Sequence, residues 1–335
     1  MRAIVLTALG DTDNLRLEQR SDPVPGPTDA LVRLHAAALN RRDVFIRRGQ
    51  YAGITLPIIL GSDGAGEVVD VGEEVDRGWI GREVVIDPSL NWGSDERAQD
   101  NAFNILGLPL NGTYAEMVAV PAANLHLKPP HLSWEEAAAV PLASVTAYRA
   151  LVTRGRVQSG ETVLITGIGG GVATTALVMA RHLGANIYVT SGHESKIEAA
   201  KRLGAFGGVN HRNADWVKAL IAGIGFRPDL VIESAGGDTF NKALDALKPG
   251  GRLVSYGATL GPSPHVEVRR IFWKQLNVFG STMGSPSDFA AMLKLYNAGG
   301  LRPVIDKVFP LEQAGDAHIR LEASDQFGKI VLKIS

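Results

Sequence analysis

The chain has 335 residues, 45% of them hydrophobic, which suffices for two domains with buried cores. Its 34 Lys and Arg nearly balance 35 Asp and Glu, so the basic excess of a nucleic-acid binder is missing and no nucleic-acid partner is expected. The absence of cysteine excludes disulfides, thiolate zinc sites, iron–sulfur clusters and a cysteine nucleophile. No long apolar stretch precedes Asp11 and Asp13, so we expect no signal peptide and a cytoplasmic location.

Residues 1–124 carry short alternating apolar segments separated by Gly, Pro and Asp. Strands are predicted at 30–34, 66–71, 83–86 and 115–120. Their spacing favours a mostly antiparallel, barrel-like β domain. A hinge is predicted near Pro129-Pro130, where Ser133 and Glu136 have the spacing of a capping box before a helix.

The stretch 162–180 is uncharged and long enough for a membrane span. Glycine crowds its middle, however, and β-branched residues dominate before the glycines whereas helix formers follow them. This pattern favours a buried strand, a tight turn and a buried helix, and we expect no membrane association.

From about residue 160 to 283, β-branched runs alternate with helical patterns. Strands are predicted at 162–166, 186–191, 208–210, 229–234, 252–256 and 277–282, and helices at 172–183, 195–203, 214–221 and 239–247. The alternation predicts βαβ units and a parallel sheet covered on both faces, so we assign 125–284 to a doubly wound α/β domain.

The glycine turn in this domain suits the pyrophosphate of a dinucleotide. It offers a sharp bend, no side chain beneath the phosphates and a helix N-terminus with free N–H groups. The spacing is GxxGxxA, at Gly167, Gly170 and Ala173, rather than GxGxxG. A structural strand-to-helix turn is the alternative, and the regular alternation behind it favours the dinucleotide. Cofactor contacts are predicted at Gly167, Gly169, Gly170, Gly171 and Val172.

The end of the second strand of this domain decides between cofactors. An NAD-binding domain usually places Asp or Glu there, whereas this chain has the neutral Ser191 followed by Gly192. Lys196, with His211 and Arg212 after the third strand, can bind a 2′-phosphate, although Glu194 would offset part of that attraction. These residues therefore favour NADP(H) over NAD(H). The alternative is that Lys196 and Arg212 are ordinary solvated charges.

Residues 285–335 contribute a predicted helix at 289–298 and strands at 307–309 and 329–334. The last strand is too isolated to be stable alone. We therefore expect the tail to return to the N-terminal domain, which makes that domain discontinuous, with 1–124 and 285–335 as its two parts.

Six motifs stand in order along the chain: 38–43 (ALNRRD), 61–69 (GSDGAGEVV), 112–116 (GTYAE), 146–148 (TAY), the glycine turn, and 328–332 (GKIVL). In this order and spacing they resemble the medium-chain dehydrogenase/reductase superfamily, specifically its zinc-free quinone-oxidoreductase-like branch. The resemblance implies a GroES-like catalytic domain split in sequence, a Rossmann cofactor domain and an active site in the cleft. It also implies homodimers or homotetramers formed by joining Rossmann sheets edge to edge.

Zinc-dependent members of this superfamily place a cysteine where Asn40 stands and a His-Glu pair where Ser62-Asp63 stand. They take a further cysteine from the segment around Ser144, and a lobe corresponding to residues 91–110 normally holds four cysteines. None of these cysteines is present here. A soft catalytic zinc site cannot be assembled from these positions, so no metal is expected.

Without a metal, the choice of acceptor is constrained. Hydride addition to a simple ketone generates an alkoxide that needs a Lewis acid or an acidic donor, whereas a quinone or an α,β-unsaturated carbonyl spreads the charge. The sequence therefore predicts a zinc-independent, NADPH-dependent oxidoreductase acting on such a small-molecule acceptor. Alternatives are alcohol or aldehyde dehydrogenase-type activity, a non-catalytic NADPH-binding protein of the same fold, and a methyltransferase, which would require an acidic residue where Ser191 stands.

The resemblance supplies further candidate residues. Catalytic candidates are Asn40, Asp43, Tyr51 and Trp92. Asn40 contacts the nicotinamide or substrate, or else stabilises a turn, and Asp43 orients the site or pairs with Arg41. Tyr51 lends a hydroxyl or packs in the core, and Trp92 walls the pocket. Further cofactor candidates, besides Asn40, are Thr146, Ser234, Gly257, Ala258, Thr259 and Lys329, of which Lys329 reaches a phosphate or is a surface charge.

Overall fold

The computed structural model describes all 335 residues. The strands, β1 to β18 in chain order, are Arg2–Leu6, Leu15–Gln19, Asp29–Ala38, Ile58–Ile59, Asp63–Val71, Glu83–Ile86, Ser89–Leu90, Asn104–Ile105, Met117–Pro121, Leu125–Leu127, Thr162–Ile165, Asn186–Ser191, Gly207–Asn210, Leu230–Glu233, Arg252–Ser255, Asn277–Gly280, Ile305–Pro310 and Lys329–Lys333. The helices, α1 to α10, are Arg41–Arg47, Trp134–Ala138, Pro141–Tyr148, Gly171–His182, Glu194–Arg202, Trp216–Ile224, Gly237–Ala246, Val268–Trp273, Pro286–Gly299 and Ala314–Ala323. A π-helical turn, Arg149–Arg154, directly follows α3.

The chain divides into two compact units, Met1–Ala143 with Ser285–Ser335, and Ser144–Gly284. The first unit therefore contains residues 125–143, which the sequence analysis placed in the doubly wound domain. The physical reason is packing, because α2 lies against β3 and β5 of the first unit and Glu136 forms an ion pair with Arg302.

The first unit is mostly antiparallel β-structure. A seven-stranded sheet has the order β10-β6-β5-β3-β18-β17, with β9 also paired to β3, and a three-stranded sheet has the order β2-β1-β4. Strand β18 pairs with β3 through Val331 and Ala38, so the tail supplies an interior strand of the larger sheet. The core between these strands includes Leu34, Ile86 and Tyr114.

The second unit carries a six-stranded sheet in the order β13-β12-β11-β14-β15-β16, and all its pairs are parallel. Its core packs Leu164 and Val231 against Trp216 and Leu244. The strand order reverses between β11 and β14, and ligands of open α/β sheets bind at the carboxyl ends of strands near such a point. The predicted α/β class, a doubly wound parallel sheet with a mostly β partner unit, is confirmed.

The uncharged stretch 162–180 divides as predicted into β11, a glycine turn and α4. Hydropathy and length together identify no helix of the protein that could cross a bilayer.

Candidate functional site

The turn between β11 and α4 depends on glycine. Gly167 and Gly169 have φ angles of 66° and 137°, in the region that side chains disfavour. Gly167 N donates to Thr190 Oγ1 over 3.0 Å, which ties the turn to β12. A Cβ on Gly167 or Gly170 would meet no atom within 4 Å, so the turn lies against open space.

Helix α4 begins at Gly171 with Gly170 as its N-cap, and no side chain caps it. The first N–H groups of a helix have no partner within the helix, so those of Gly171 and Val172 can bind a phosphate. The predicted residues of the turn thus form one structure, the glycine turn (Gly167–Val172), at the strand-order reversal. Their contact with a dinucleotide remains a prediction.

Three basic side chains lie around Gly192, just beyond β12. A Cβ on Gly192 would lie 3.0 Å from Arg212 Nε and 3.2 Å from His211 Nε2. Arg212 Nη2 is 3.2 Å from His193 Nε2. Burial, reinforced by the charges of Arg212 and His193, lowers the pKa of His211, so the ring is neutral near pH 7. Arg212 is therefore the permanent cation of this group.

The other residues predicted at this strand end are placed as follows. Ser191 is 2% exposed, and its hydroxyl accepts a hydrogen bond from His193 N over 3.1 Å. Glu194 Oε1 accepts from Asn210 Nδ2 over 3.1 Å, and Lys196 lies in the first turn of α5. Ser191 presents no negative charge at the end of β12, as the sequence predicts for a phosphate site.

The loops after β14 and β15 contain Ser234, Gly257, Ala258 and Thr259. Ser234 O accepts hydrogen bonds from Thr259 N over 3.1 Å and Thr259 Oγ1 over 3.3 Å, so the two loops are joined. Thr146 lies on α3, is 6% exposed, and donates to Met283 Sδ over 3.9 Å. All but Thr146 are thus brought to the carboxyl ends of neighbouring strands.

Sequence reasoning missed Glu233 beside these loops. Its carboxylate is fully buried and accepts from Ala235 N over 2.7 Å and Gly236 N over 3.0 Å. The second oxygen, Oε2, has no partner, and burial raises the pKa of this carboxyl. An acidic residue at the end of the apolar run 230–232 was the available signal. Its side chain holds the backbone that leads into α7.

In the first unit, a second set of polar residues is buried, which we call the Asn40 cluster (Asn40, Asp43, Asp63, Tyr114 and Lys329). Lys329 Nζ donates to Asp63 Oδ2 and to Asn40 Oδ1, each over 2.7 Å. Asn40 Nδ2 donates to Asp63 Oδ2 over 2.9 Å. Lys329 is therefore a buried ion-pair partner rather than a surface charge. Contact with a cofactor phosphate, which remains a prediction, would require one of these bonds to break.

Asp43 supports Asn40 from the other side. Asp43 Oδ2 accepts from Asn40 N over 2.8 Å and from the Tyr114 hydroxyl over 2.9 Å. Burial raises the pKa of Asp43, and burial with the nearby carboxylates raises the pKa of Tyr114 well above its usual value, so the phenol keeps its proton. The alternative that Asp43 pairs with Arg41 is wrong, because Arg41 Nη2 donates to Ser324 Oγ instead. Sequence reasoning missed Tyr114 as a partner, although its motif was noted.

Tyr51 and Trp92 lie outside this cluster. Tyr51 is 37% exposed, and the Arg42 guanidinium stacks over its ring at 5.2 Å from the centroid. Trp92 is 2% exposed, donates from Nε1 to Asp95 O over 3.0 Å and packs edge-on against Phe103. Tyr51 is therefore partly exposed rather than packed in the core, whereas Trp92 is held inside its own lobe. Their catalytic roles remain predictions.

Two family models match the chain. The model described as "Alcohol dehydrogenase GroES-like domain" matches residues 26–130, and the model described as "Zinc-binding dehydrogenase" matches residues 171–298. The first match covers the β unit that holds Asn40, and the second covers α4 to α9. The GroES-like assignment of the first unit is therefore confirmed.

Curated proteins are similar over nearly the whole chain. The zinc-type alcohol dehydrogenase-like protein YogA of Leptosphaeria maculans is 36% identical, covering 96% of this chain and 94% of that protein. An acryloyl-coenzyme A reductase of Sulfurisphaera tokodaii is 30% identical, covering 99% of this chain and all of that protein, 100%.

Solved structures extend the similarity to the fold. A structure described as an NAD-dependent alcohol dehydrogenase has a TM-score of 0.94 and 40% identity, covering 100% of both chains. A crotonyl-CoA carboxylase/reductase in complex with NADP has a TM-score of 0.90 and 26% identity, covering 100% of this chain and 95% of that chain. The chain belongs to the medium-chain dehydrogenase/reductase superfamily of oxidoreductases.

Proposed function

We propose that the chain reduces a conjugated carbonyl acceptor, an α,β-unsaturated carbonyl or a quinone, with hydride from NADPH and without zinc. The observation that carries this proposal is the buried Asp63–Lys329 ion pair in the Asn40 cluster. Asn40 and Asp63 stand where zinc-dependent members of the superfamily, by the resemblance, place metal ligands. The side chains at these positions therefore determine whether a metal ion or hydrogen-bond donors polarise the carbonyl group of the acceptor.

These side chains do not fit a zinc ion. Asp63 Oδ2 accepts from Lys329 and Asn40, and Asp63 Oδ1 accepts from Leu142 N over 2.7 Å, so both carboxylate oxygens are hydrogen bonded. A divalent cation would have to displace the Lys329 ammonium, and an asparagine amide is a poor zinc ligand. No group of three or more His, Cys, Asp or Glu side chains in the protein is arranged to hold a metal.

Without a Lewis acid, a conjugated acceptor is the favoured substrate class. A quinone or an enone spreads the incoming charge, so hydrogen bonds and a proton from water suffice. The similar acryloyl-coenzyme A reductase and crotonyl-CoA carboxylase/reductase are named for α,β-unsaturated thioesters, which supports this class. The name of the similar NAD-dependent alcohol dehydrogenase supports the rival activity on simple alcohols.

The second unit supplies the groups that fit NADPH. The glycine turn and the start of α4 suit the pyrophosphate, and Arg212 beside the neutral Ser191 suits a 2′-phosphate. When bound, NADPH supplies the hydride. A charged hydrogen bond to phosphate is worth about 1.5–3 kcal/mol, which corresponds to about tenfold or more in affinity.

Fluorescence titration with NADPH and NADH tests the cofactor assignment. We expect wild-type protein to bind NADPH at least about tenfold more tightly, because only NADPH carries the phosphate that Arg212 binds. Arg212→Leu should remove that preference and leave NADH binding unchanged. Arg202→Leu, an exposed arginine at the end of α5, is the matched control and should keep it. Tighter binding of NADH by the wild type would overturn the assignment.

Turnover of chelator-treated protein tests the acceptor class. We expect 2-cyclohexenone or 1,4-benzoquinone to be reduced with NADPH, with no gain on adding zinc. Reduction of cyclohexanone with NADPH and oxidation of ethanol with NADP+ should both be far slower. Loss of activity on chelation with recovery by zinc would contradict the metal-free reaction. NADPH binding without turnover of any acceptor would contradict the enzymatic proposal and favour a binding protein.

A further inference from the structure

Lys329 directs its ammonium at three acceptors in the Asn40 cluster and its surroundings. Nζ donates to Leu39 O over 2.8 Å as well as to Asn40 Oδ1 and Asp63 Oδ2. Lys329 is 3% exposed and Asp63 is 0% exposed. Because an ammonium carries three protons, every donor of Lys329 is used, and its position is fixed.

This arrangement determines which way the Asn40 amide points. Oδ1 accepts from the Lys329 ammonium and Nδ2 donates to the Asp63 carboxylate. The flipped amide would set its NH2 against the ammonium and its oxygen against the carboxylate, and both contacts would be repulsive. The ion pair therefore selects a single amide orientation.

The main chain of Asn40 is fixed as well. Asn40 is the N-cap of α1, and its N–H donates to Asp43, which in turn accepts from Tyr114. With one Nδ2 proton bound to Asp63, a second remains, and the structure gives it no acceptor. The ammonium on Oδ1 polarises the amide and makes this remaining N–H a stronger donor.

We propose that the buried Lys329–Asp63 pair is a positioning device that fixes Asn40 as a hydrogen-bond donor, and that the remaining Asn40 N–H binds the carbonyl oxygen of the acceptor. The inference rests on the proposed function, and it adds the group that recognises the acceptor. A fixed donor at Asn40 also favours a carbonyl substrate over an alcohol. A carbonyl oxygen only accepts a hydrogen bond, whereas the proton of a substrate hydroxyl would find no acceptor on Asn40.

The donor acts where charge develops. The β-carbon of the acceptor receives a hydride from the reduced nicotinamide, the C=C electron pair moves towards the carbonyl, and the carbonyl oxygen becomes an enolate. A proton from water then goes to the α-carbon, so the acceptor gains two hydrogens and the nicotinamide is oxidised. A hydrogen bond from Asn40 Nδ2 to that oxygen strengthens as the negative charge grows.

The variants separate positioning from folding. Lys329→Met alone leaves a buried unpaired carboxylate and can unfold the protein, so the main variant is Lys329→Met with Asp63→Asn, which removes both charges. Asn40→Ala removes the donor, and the triple variant combines all three changes. Lys333→Met is the matched control, since Lys333 is an exposed lysine of the same strand β18.

Binding of δ-valerolactam to the NADPH complex is the readout, followed by ligand-observed NMR. Like a cyclic enone, this lactam has a ring carbonyl oxygen that accepts hydrogen bonds, but it has no C=C bond that could be reduced. We expect the double variant Lys329→Met/Asp63→Asn and the single variant Asn40→Ala each to weaken lactam binding about tenfold. The triple variant should bind the lactam no more weakly than Asn40→Ala does, because the ion pair acts only through Asn40. Lys333→Met should bind as the wild type does.

Unchanged lactam affinity in the double variant Lys329→Met/Asp63→Asn would overturn the inference. A triple variant whose loss of affinity equals the product of the two separate losses would also overturn it, as would a wild type that does not bind the lactam. The proposed function fails separately, when wild-type protein binds no NADPH or turns over no enone or quinone. Enone turnover with lactam binding insensitive to Lys329 would reject the positioning role alone.

Discussion

His318 is fully buried in α10, and neither of its ring nitrogens has a hydrogen-bond partner. The ring packs edge-on against Tyr114 with 6.0 Å between the centroids. Burial, together with the charge of Arg47, lowers the pKa of His318 to about 3. The folded protein therefore holds a neutral imidazole next to the tyrosine that supports Asp43.

Replacing His318 should reduce the decrease in the free energy of unfolding that acidification causes. The folded pKa lies below the unfolded value of 6.5, so the unfolded chain binds a proton that the folded one does not, and stability falls as the pH drops from 6.5 towards 3. At pH 4 this amounts to about 3 kcal/mol. We expect urea unfolding at pH 7.5 and 4 to show a smaller loss for His318→Phe than for the wild type.

The control for this measurement is His182→Phe, which changes an exposed histidine of α4. It should lose as much stability on acidification as the wild type does. Equal losses in His318→Phe and the wild type would show that protonation of His318 does not oppose folding.

The two loops that follow β14 and β15 behave as one element. Leu260 N donates to Ala235 O over 2.8 Å, and Gly237 N donates to Gly261 O over 3.1 Å. Gly236 has a φ of 68°, and a Cβ there would lie 2.5 Å from Gly261 O. A side chain at this position would therefore separate the loops that carry Ser234 and Thr259.

Gly236→Ala should destabilise the second unit and weaken NADPH binding, because it combines backbone strain with a clash against a carbonyl. Gly250→Ala is the matched control, since Gly250 has a φ of 74° but a Cβ there would meet nothing within 4 Å. The control should cost about 1 kcal/mol of strain, and Gly236→Ala at least about twice as much. Denaturant unfolding and NADPH titration measure both effects, and equal costs would rule out the loop contact as the cause.

How much the sequence can predict differs between the two units. Strands β11, β12 and β14 are predictable because each contains a short run rich in β-branched residues, and β11 lies within the predicted 162–166. Helix α1 was missed, because its charged sequence RRDVFIR gives a weak local pattern and it packs against the distant α10. Local pattern therefore predicts the second unit better than the first.

The same reason limits prediction of the site. The glycine turn is one continuous segment and is recognisable from its residues. Asn40 and Lys329 are 289 positions apart, and their contact exists only because β18 returns to pair with β3. From the sequence alone, Lys329 is indistinguishable from a solvated surface lysine, because its buried contacts depend on that strand pairing. Self-association through the second sheet remains a prediction.

Strand β18, formed by residues 329–333, stabilises the first unit. Strand β18 lies between β3 and β17 in the seven-stranded sheet, and Lys329 at its start neutralises the buried Asp63. Removing residues 329–335 would leave β17 without a neighbouring strand and Asp63 without its cation. The six strands of the second sheet, in contrast, all come from within 144–284.

We therefore expect hydrogen exchange of the truncated chain 1–328 to differ between the units. Amides of β3 and β5 should lose protection, because their sheet has lost an interior strand, whereas amides of β11 and β14 should keep it. The full-length Lys329→Met/Asp63→Asn chain is the control, and it should protect β3 because β18 is still present. If β11 lost protection together with β3, the second unit would depend on the tail, and the two units would unfold as one cooperative structure.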